Sequence, residues 1–123
     1  MIIGVGTDIT EVERIKKAIE KNNFENRFFT DAEINYMNKK VNKYETAAGI
    51  FAGKEAVVKA LGTGFSSFSF KDVEITHNEQ GKPGVKLSGN AASLLEAIGG
   101  SYIHISISHE KKYATAVAIA EGV

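Results

Sequence analysis

Two carboxylates of this 123-residue chain stand where they could bind a divalent cation. Asp8 ends an apolar, strand-like run just before a predicted helix, although Asp is uncommon in strands. Glu55 shares one face of a predicted helix with Ala48, Ala52 and Lys59. Mg²⁺ prefers oxygen ligands and is often held by one or two carboxylates plus substrate phosphates. Plainer interpretations stay open, with Asp8 as a capping residue and Glu55 as an ion-pair partner of Lys59 on a solvated face.

Candidate phosphate-binding groups lie on the same helix, directly after it and near the end of the chain. Lys54 and Lys59 could supply positive charge to phosphates. The run Gly62-Thr63-Gly64 could offer backbone amides to an anion, or could simply end the helix. His109 could donate to a phosphate or exchange a proton near neutral pH, or it could be an ordinary turn residue.

The first predicted helix carries a basic stripe. Positive side chains recur there on the side away from the apolar residues, and one more follows shortly afterwards; these residues are Arg14, Lys17, Lys21 and Arg27. Such a stripe is usually a solvated face. The alternative is a docking surface for an acidic partner, because charge complementarity raises association rate and specificity.

The first predicted secondary-structure element is a strand over residues 1–9. Two S/T-x-x-E capping boxes, at Thr10 and Thr30, predict the starts of two helices. The first helix is expected to end near residues 22 and 23, and the second near Lys39. An Ala-rich helix from about Tyr44 to Leu61 is the longest predicted element.

The second half of the chain predicts mostly strands. Residues 72–77 and 85–87 predict two strands joined by a turn, and His77 in this polar stretch is interpreted as a surface residue. A helix runs from Ser88 to about Ile98, and residues 102–108 and 113–121 predict an antiparallel hairpin. The predicted fold class is α+β, in one domain over residues 1–123.

Composition excludes several classes of protein. The 15 basic and 15 acidic residues give zero net charge, so general attraction to nucleic acid is not expected. The absence of Cys excludes disulfides, thiolate metal sites and a Cys nucleophile. Because the apolar runs fall short of about 18 residues and a signal-peptide pattern is missing at the start, we expect a cytoplasmic protein without a membrane span. A small domain is often stabilised by oligomerisation, so the size of the chain is compatible with an oligomer.

Three blocks, in order, resemble the holo-acyl-carrier-protein synthase family, the short bacterial type of 4′-phosphopantetheinyl transferase. They are residues 3–9 (IGVGTDI), 51–64 (FAGKEAVVKALGTG) and 104–109 (HISISH). The triplet Gly81-Lys82-Pro83 also matches a family position. The combination is specific, whereas any single block would not be.

The resemblance implies a fold and an activity. The fold would be that of the 4′-phosphopantetheinyl transferases, with a small antiparallel sheet packed with helices around one long central helix. The activity would move the phosphopantetheine arm of coenzyme A onto a Ser of apo-acyl carrier protein in fatty acid biosynthesis, releasing adenosine 3′,5′-bisphosphate. The family is typically a homotrimer, with each site in a cleft between two subunits.

The resemblance also implies roles for individual residues. Asp8 and Glu55 match the Mg²⁺ ligands, and Lys59 and His109 match residues near the phosphates. The segments 62–64 and 81–83 match the lining of the nucleotide site. Arg14 matches a position on the first helix that meets the acidic recognition helix of the carrier.

Two departures from the family pattern fall on the central helix. Ile50 stands where relatives carry an Arg, so coenzyme A affinity could be lower or could depend on another lysine such as Lys43. Gly53 replaces a more usual Ala or Val, at a helix cost of up to ~1 kcal/mol.

Two other functions stay open at this point. A non-catalytic, trimeric coenzyme A- or nucleotide-binding module explains the Gly and Lys segments but leaves Asp8 and Glu55 idle. A Mg²⁺-dependent hydrolase of a nucleotide pyrophosphate would use both carboxylates without the basic stripe. The base that accepts the Ser proton also stays open, among a metal-bound water, Glu55 and Asp31.

Overall fold

A computed structural model of the chain describes residues 1–21, 23–62 and 68–123. The first half contains one strand and four helices, which are β1 (Ile2–Glu11), α1 (Val12–Ile19), α2 (Phe24–Phe28), α3 (Asp31–Asn38) and α4 (Lys43–Leu61). The second half contains a 3₁₀ turn, four strands and a helix, which are Phe70–Asp72, β2 (Val73–His77), β3 (Pro83–Leu87), α5 (Gly89–Ala97), β4 (Gly100–His109) and β5 (Tyr113–Gly122). Within the described ranges, helices that are long and apolar enough to cross a membrane are absent.

The strands form two antiparallel sheets. The larger sheet has the order β1-β5-β4, so β1 and β4 are its two edges, and the smaller sheet is the hairpin of β2 and β3. Helix α4 packs across one face of the larger sheet. The predicted α+β fold class, with antiparallel pairing and one long helix, is confirmed.

Small residues bring α4 against the sheet. A Cβ atom on Gly4 or Gly6 would collide with the backbone carbonyls of Ala60 and Ala56, so β1 must carry glycine at both positions. Most of α4 is buried, as expected for a helix that is apolar on nearly every side. This close contact lets β1 and α4 hold their polar side chains in fixed relation to each other.

One predicted capping box is wrong and the other is confirmed. Strand β1 continues to Glu11, which takes the N-cap position of α1, and the Thr10 hydroxyl donates to Asp8 Oδ2 at 2.6 Å instead of capping the helix. Thr30 caps α3 as predicted, because its hydroxyl accepts from the Glu33 N–H while the Glu33 carboxylate accepts from the Thr30 N–H.

The other boundaries differ in smaller ways. Helix α1 ends at Ile19, earlier than predicted; Asn22 lies outside the described residues. The one-turn helix α2 was missed, because five residues are too few to show a helical period. The predicted turn, α5 and the C-terminal hairpin lie where the sequence placed them, to within about two residues.

Candidate active site

Asp8 is held at the centre of a small polar network under α4. The alternation of β1 places it on the helix side of the sheet, with Gly6 and Thr10. Its Oδ2 accepts the Thr10 hydroxyl at 2.6 Å, and its Oδ1 lies 3.4 Å from Lys59 Nζ. Lys59 Nζ also donates to the Thr7 carbonyl at 2.9 Å. Lys59 therefore lies beside Asp8.

Glu55 faces the same region from α4. Asp8 and Glu55 line one cavity of about 250 Å³ together with Arg14 and Phe51. Burial raises the pKa of the Glu55 carboxyl above its ordinary value, the negative charge of Asp8 raises it further, and Lys59 opposes the shift. The two carboxylates therefore disfavour each other's charge, which a bound cation would relieve.

The donor chemistry of this cavity fits Mg²⁺ only in part. Asp8 and Glu55 supply the hard carboxylate oxygens that this ion prefers. Among the described residues, however, clusters of three or more His, Cys, Asp or Glu side chains that could hold a metal ion are absent. The remaining ligands would have to be water and oxygens of a bound substrate, as in sites where Mg²⁺ is held between protein and phosphate.

The prediction that Lys54 contacts phosphate is wrong. Its side chain is fully buried, and its ammonium lies 2.8 Å from Glu33 Oε1 while donating to the Phe70 and Val73 carbonyls at 2.8 and 2.6 Å. Burial lowers the pKa of Lys54 and raises the pKa of Glu33, and the attraction between the two opposes both shifts. Lys54 ties α4 to α3 and β2 and is not available to a ligand.

His109 lies at a second, larger cavity. Its ring borders a space of about 430 Å³ that is also lined by Gly81, Pro83 and Lys40. His109 Nδ1 lies 3.2 Å from Glu45 Oε1, in the first turn of α4. This cavity brings three of the predicted nucleotide-site residues together. Lys82 is exposed beside it, with its backbone N–H donating to the Asn78 side chain at 2.9 Å.

His77 is not the surface residue that its polar neighbours suggested. It is half-buried in the wall of the His109 cavity and stacks on Tyr36, with the ring centroids 3.8 Å apart and the planes at 4°. Burial lowers the pKa of His77, and the nearby positive charge of Lys40 lowers it further. No local pattern in the sequence predicts that Tyr36 stacks on His77, because the two rings come from separate elements.

Gly62 follows the plainer of its two interpretations. It ends α4 in the left-handed conformation, with φ of 91°, and its N–H donates to the Val58 carbonyl at 3.1 Å. Thr63 and Gly64, which were predicted with it as nucleotide contacts, lie outside the described residues.

The basic stripe borders the carboxylate cavity. Arg14 lines that cavity, Lys17 is exposed further along α1, and Lys21 is exposed just beyond the end of that helix. Arg27 is exposed on α2, with its guanidinium 5.2 Å from the centre of the Phe28 ring. An acidic partner on this surface would sit directly beside Asp8 and Glu55.

The predicted site is thus divided between the two sides of α4. Glu55 and Lys59 lie on the side of β1 and α1, whereas Ile50 lines the His109 cavity on the side of β3 and β4. At about 100° per residue, Ile50 and Glu55 point some 140° apart around the helix. One chain therefore holds the predicted site residues at two separate cavities.

Comparison with known proteins decides the family. The sequence profile of the 4′-phosphopantetheinyl transferase superfamily matches residues 4–118. The chain belongs to this superfamily. The resemblance inferred from the three sequence blocks is confirmed.

Individual relatives agree over nearly the whole chain. Holo-(acyl-carrier-protein) synthase of Clostridium novyi is 51% identical over 122 residues, covering 98% of this chain and 88% of that protein. The protein of the same name from Fusobacterium nucleatum is 50% identical, covering 97% and 98%. The crystal structure of a holo-(acyl-carrier-protein) synthase from Bacillus anthracis in complex with CoA (3′,5′-ADP) superposes with a TM-score of 0.83 at 36% identity, covering 100% and 99%.

The two departures of this superfamily member have structural settings. Ile50 is buried in the wall of the His109 cavity. Lys43 lies 3.6 Å from Glu25, and the lysine that lines this cavity is Lys40. The room beside Gly53 is taken by the terminal methyl groups of three isoleucines, each 3.1 to 3.3 Å from the position of a Cβ atom; these are Ile75, Ile105 and Ile107.

Proposed function

We propose that this chain transfers the 4′-phosphopantetheine group of coenzyme A to a Ser of apo-acyl carrier protein, with release of adenosine 3′,5′-bisphosphate. The observation that carries the proposal is the cavity where Asp8 and Glu55 meet Arg14 of the exposed basic stripe. The nucleophile is the Ser hydroxyl of the partner, so the chain needs none of its own. The Ser hydroxyl gives its proton to a base, for which Glu55 is the candidate at this cavity, and its oxygen forms a bond to phosphorus as the bond from phosphorus to the bisphosphate breaks.

Asp8 and Glu55 would hold Mg²⁺ in this reaction. The ion, when bound, supplies positive charge that stabilises the pyrophosphate and the leaving phosphate. Lys59 is exposed beside Asp8 and can turn its ammonium towards the same phosphates. The chain's contribution is to position the two substrates and to stabilise charge at the reacting phosphorus.

The basic stripe would dock the carrier. Arg14 and Lys17 are exposed on α1, Lys21 is exposed just beyond its end, and Arg27 is exposed on α2. An acidic helix of the carrier would be attracted to this surface, which steers encounter and fixes orientation. Docking there places the carrier beside the carboxylate cavity.

We infer that the working form is a homotrimer whose sites lie between subunits. The face of the larger sheet that α4 leaves uncovered carries exposed apolar side chains, which are Val5, Ile9, Tyr102 and Tyr113. Exposed apolar side chains gathered on one face favour an interaction site there. A second copy on this face would bring the His109 half-site of one subunit to the Asp8 half-site of another, and coenzyme A would bind across both.

The setting of the reaction follows from the substrates. We place it in the cytoplasm and in fatty acid biosynthesis, with residues 1–123 acting as one transferase domain. Its partners are then acyl carrier protein, coenzyme A and two further copies of the chain.

The test is intact-mass spectrometry of an apo-acyl carrier protein incubated with the protein, coenzyme A and Mg²⁺. The carrier should gain one phosphopantetheine mass, and a chelator should prevent the gain. Binding of coenzyme A without any mass gain would instead favour the non-catalytic binding module. Release of adenosine 3′,5′-bisphosphate without the carrier would favour a hydrolase.

The shared site is tested by mixing two inactive variants. Asp8→Ala and His109→Ala subunits, unfolded and refolded together in equal amounts, should regain activity, because about a quarter of the intersubunit sites receive both native residues. If both half-sites belonged to one subunit, the mixture would stay as inactive as its components. Each variant refolded alone is the control.

A further inference from the structure

Two edges of the His109 ring face α4. Nδ1 lies 3.2 Å from Glu45 Oε1. The opposite edge approaches Gly49, where an added Cβ atom would lie 3.5 Å from His109 Cδ2. Glu45 and Gly49 are four residues apart, so they lie one turn apart on the same side of the helix. Together they form the surface of α4 against which the ring lies.

This arrangement determines which ring nitrogen can bind a ligand. A carboxylate can only accept a hydrogen bond, so the Nδ1 atom beside Glu45 carries hydrogen. In the imidazole ring, Nδ1 and Cδ2 flank the attachment carbon, and Nε2 lies at the far end. With Nδ1 beside Glu45 and Cδ2 facing Gly49, Nε2 is the nitrogen left for a ligand in the cavity that His109 lines.

We propose that Glu45 is a positioning residue that fixes His109 with hydrogen on Nδ1 and presents Nε2 to an anionic oxygen of the coenzyme A nucleotide. When the ring is protonated, Nε2 donates to that oxygen while Glu45 balances the positive charge from the other side. Carboxylate–histidine pairs orient metal-binding histidines in the same manner. The identity of the ligand rests on the proposed function, whereas the orientation of the ring does not.

Two substitutions separate this role from a structural one. Glu45→Gln and Glu45→Ala both remove the negative charge in the first turn of α4, so any effect of that charge on helix stability is common to both. Only Glu45→Gln keeps an oxygen that can accept from Nδ1. Glu96→Ala, which removes an exposed carboxylate from α5, is the remote control.

The first readout is the protonation pattern of the ring without any ligand. The measurement is NMR correlation of ring nitrogens with ring protons in ¹⁵N-labelled protein, at a pH high enough for the ring to be neutral. It should show hydrogen on Nδ1 of His109 in the wild type and in Glu45→Gln. Glu45→Ala should shift the ring towards the Nε2–H form that free histidine prefers. An Nε2–H ring in the wild type, or an unchanged ring in Glu45→Ala, would overturn the proposal even if the transferase activity is present.

The second readout is the kinetics of transfer. Glu45→Ala should raise the KM for coenzyme A by about tenfold or more, as loss of an orienting partner commonly does, with the KM for the carrier unchanged. Glu45→Gln and Glu96→Ala should stay within about threefold of the wild type. Equal losses in Glu45→Gln and Glu45→Ala would contradict positioning through the hydrogen bond. Inactivity of the wild type would refute the proposed function and leave the NMR result to decide the orientation.

Discussion

Helix α4 carries two lysine–carboxylate pairs with opposite characters. Lys54 and Glu33 lie 2.8 Å apart, and both side chains are 0% exposed. Lys59 and Asp8 lie 3.4 Å apart, and their side chains are 54% and 14% exposed. The two lysines are five residues apart in sequence, which turns them some 140° from each other around the helix.

Burial, and not residue type, decides which of the two lysines is structural and which is available to a ligand. The three hydrogens of the Lys54 ammonium have three oxygen acceptors, and Glu33 also accepts the Thr30 and Ile75 N–H groups at 2.8 and 2.7 Å. Within the described residues, every buried side-chain nitrogen or oxygen has a hydrogen-bond partner. Lys59 meets water on one side, so it can exchange Asp8 for a phosphate at little cost.

Breaking the buried pair should have the largest effect. Lys54→Met leaves the Glu33 charge buried and unpaired, which should destabilise the protein by about 3–5 kcal/mol. Urea unfolding followed by circular dichroism measures this change. The double variant Lys54→Met/Glu33→Leu should recover only part of the loss, because the Ile75 N–H loses its acceptor. A destabilisation below about 1 kcal/mol for Lys54→Met would mean that the pair resembles a surface ion pair.

Removing either carboxylate of the Asp8 and Glu55 cavity should have the next largest effect, mainly on activity. Asp8→Ala and Glu55→Ala should each lower the rate of transfer by about 10²–10³-fold, the usual cost of losing a group that stabilises developing charge. The unfolding curve of Glu55→Ala should stay close to the wild type, because the two charges disfavour each other. Asp8→Ala should lose about 1–3 kcal/mol of stability, because the buried Thr10 hydroxyl loses its acceptor. Full activity in both purified variants would refute the assignment of the metal ligands.

Substituting Lys59 should affect activity more than stability, in contrast to substituting Lys54. Lys59→Met should lower the transfer rate by roughly tenfold to a hundredfold, because one charge at the phosphates is lost. Its effect on stability should be below about 1 kcal/mol, as for exposed ion pairs. Initial rates and urea unfolding of the same preparation measure both quantities. A stability loss as large as that of Lys54→Met would remove the distinction between the pairs.

The sequence predicted the elements whose signals are local. The long helix followed from its Ala-rich pattern and the terminal Gly62, and α3 followed from the capping box at Thr30. The similar box at Thr10 failed because pairing with β5 continues through Glu11 and Tyr113, which keeps Thr10 in the strand. Two identical local patterns were thus separated by a contact with the other end of the chain.

The site was predictable where residue type and family pattern agreed, and not where burial decided. Asp8, Glu55 and Arg14 do meet at one cavity. The wrong assignment of Lys54 arose because α4 is apolar on nearly every side, so the sequence does not reveal which side faces solvent. Its partner Glu33 lies on another helix, and no local spacing connects them.

The two histidines of the larger cavity repeat the contrast at a smaller scale. His109 is exposed to the cavity, whereas His77 is half-buried against Tyr36 with its pKa lowered by burial and by Lys40. In the unfolded chain His77 titrates at its ordinary value of 6.5. Just below that pH the unfolded state binds the proton more readily, so stability rises with pH through this window and is lost on acidification.

His77→Phe should remove this dependence while keeping a ring against Tyr36. Thermal unfolding between about pH 5 and pH 7 should show a weaker loss of stability on acidification than in the wild type, by roughly 1 kcal/mol or less over the range. The comparison must be between the two proteins, because His104 and His109 also lie beside carboxylates. His109→Phe, in which His77 is retained, should keep the acid-side loss of stability that His77 causes. If stability depends on pH to the same extent in His77→Phe and in the wild type, burial in the stack does not weaken proton binding by His77.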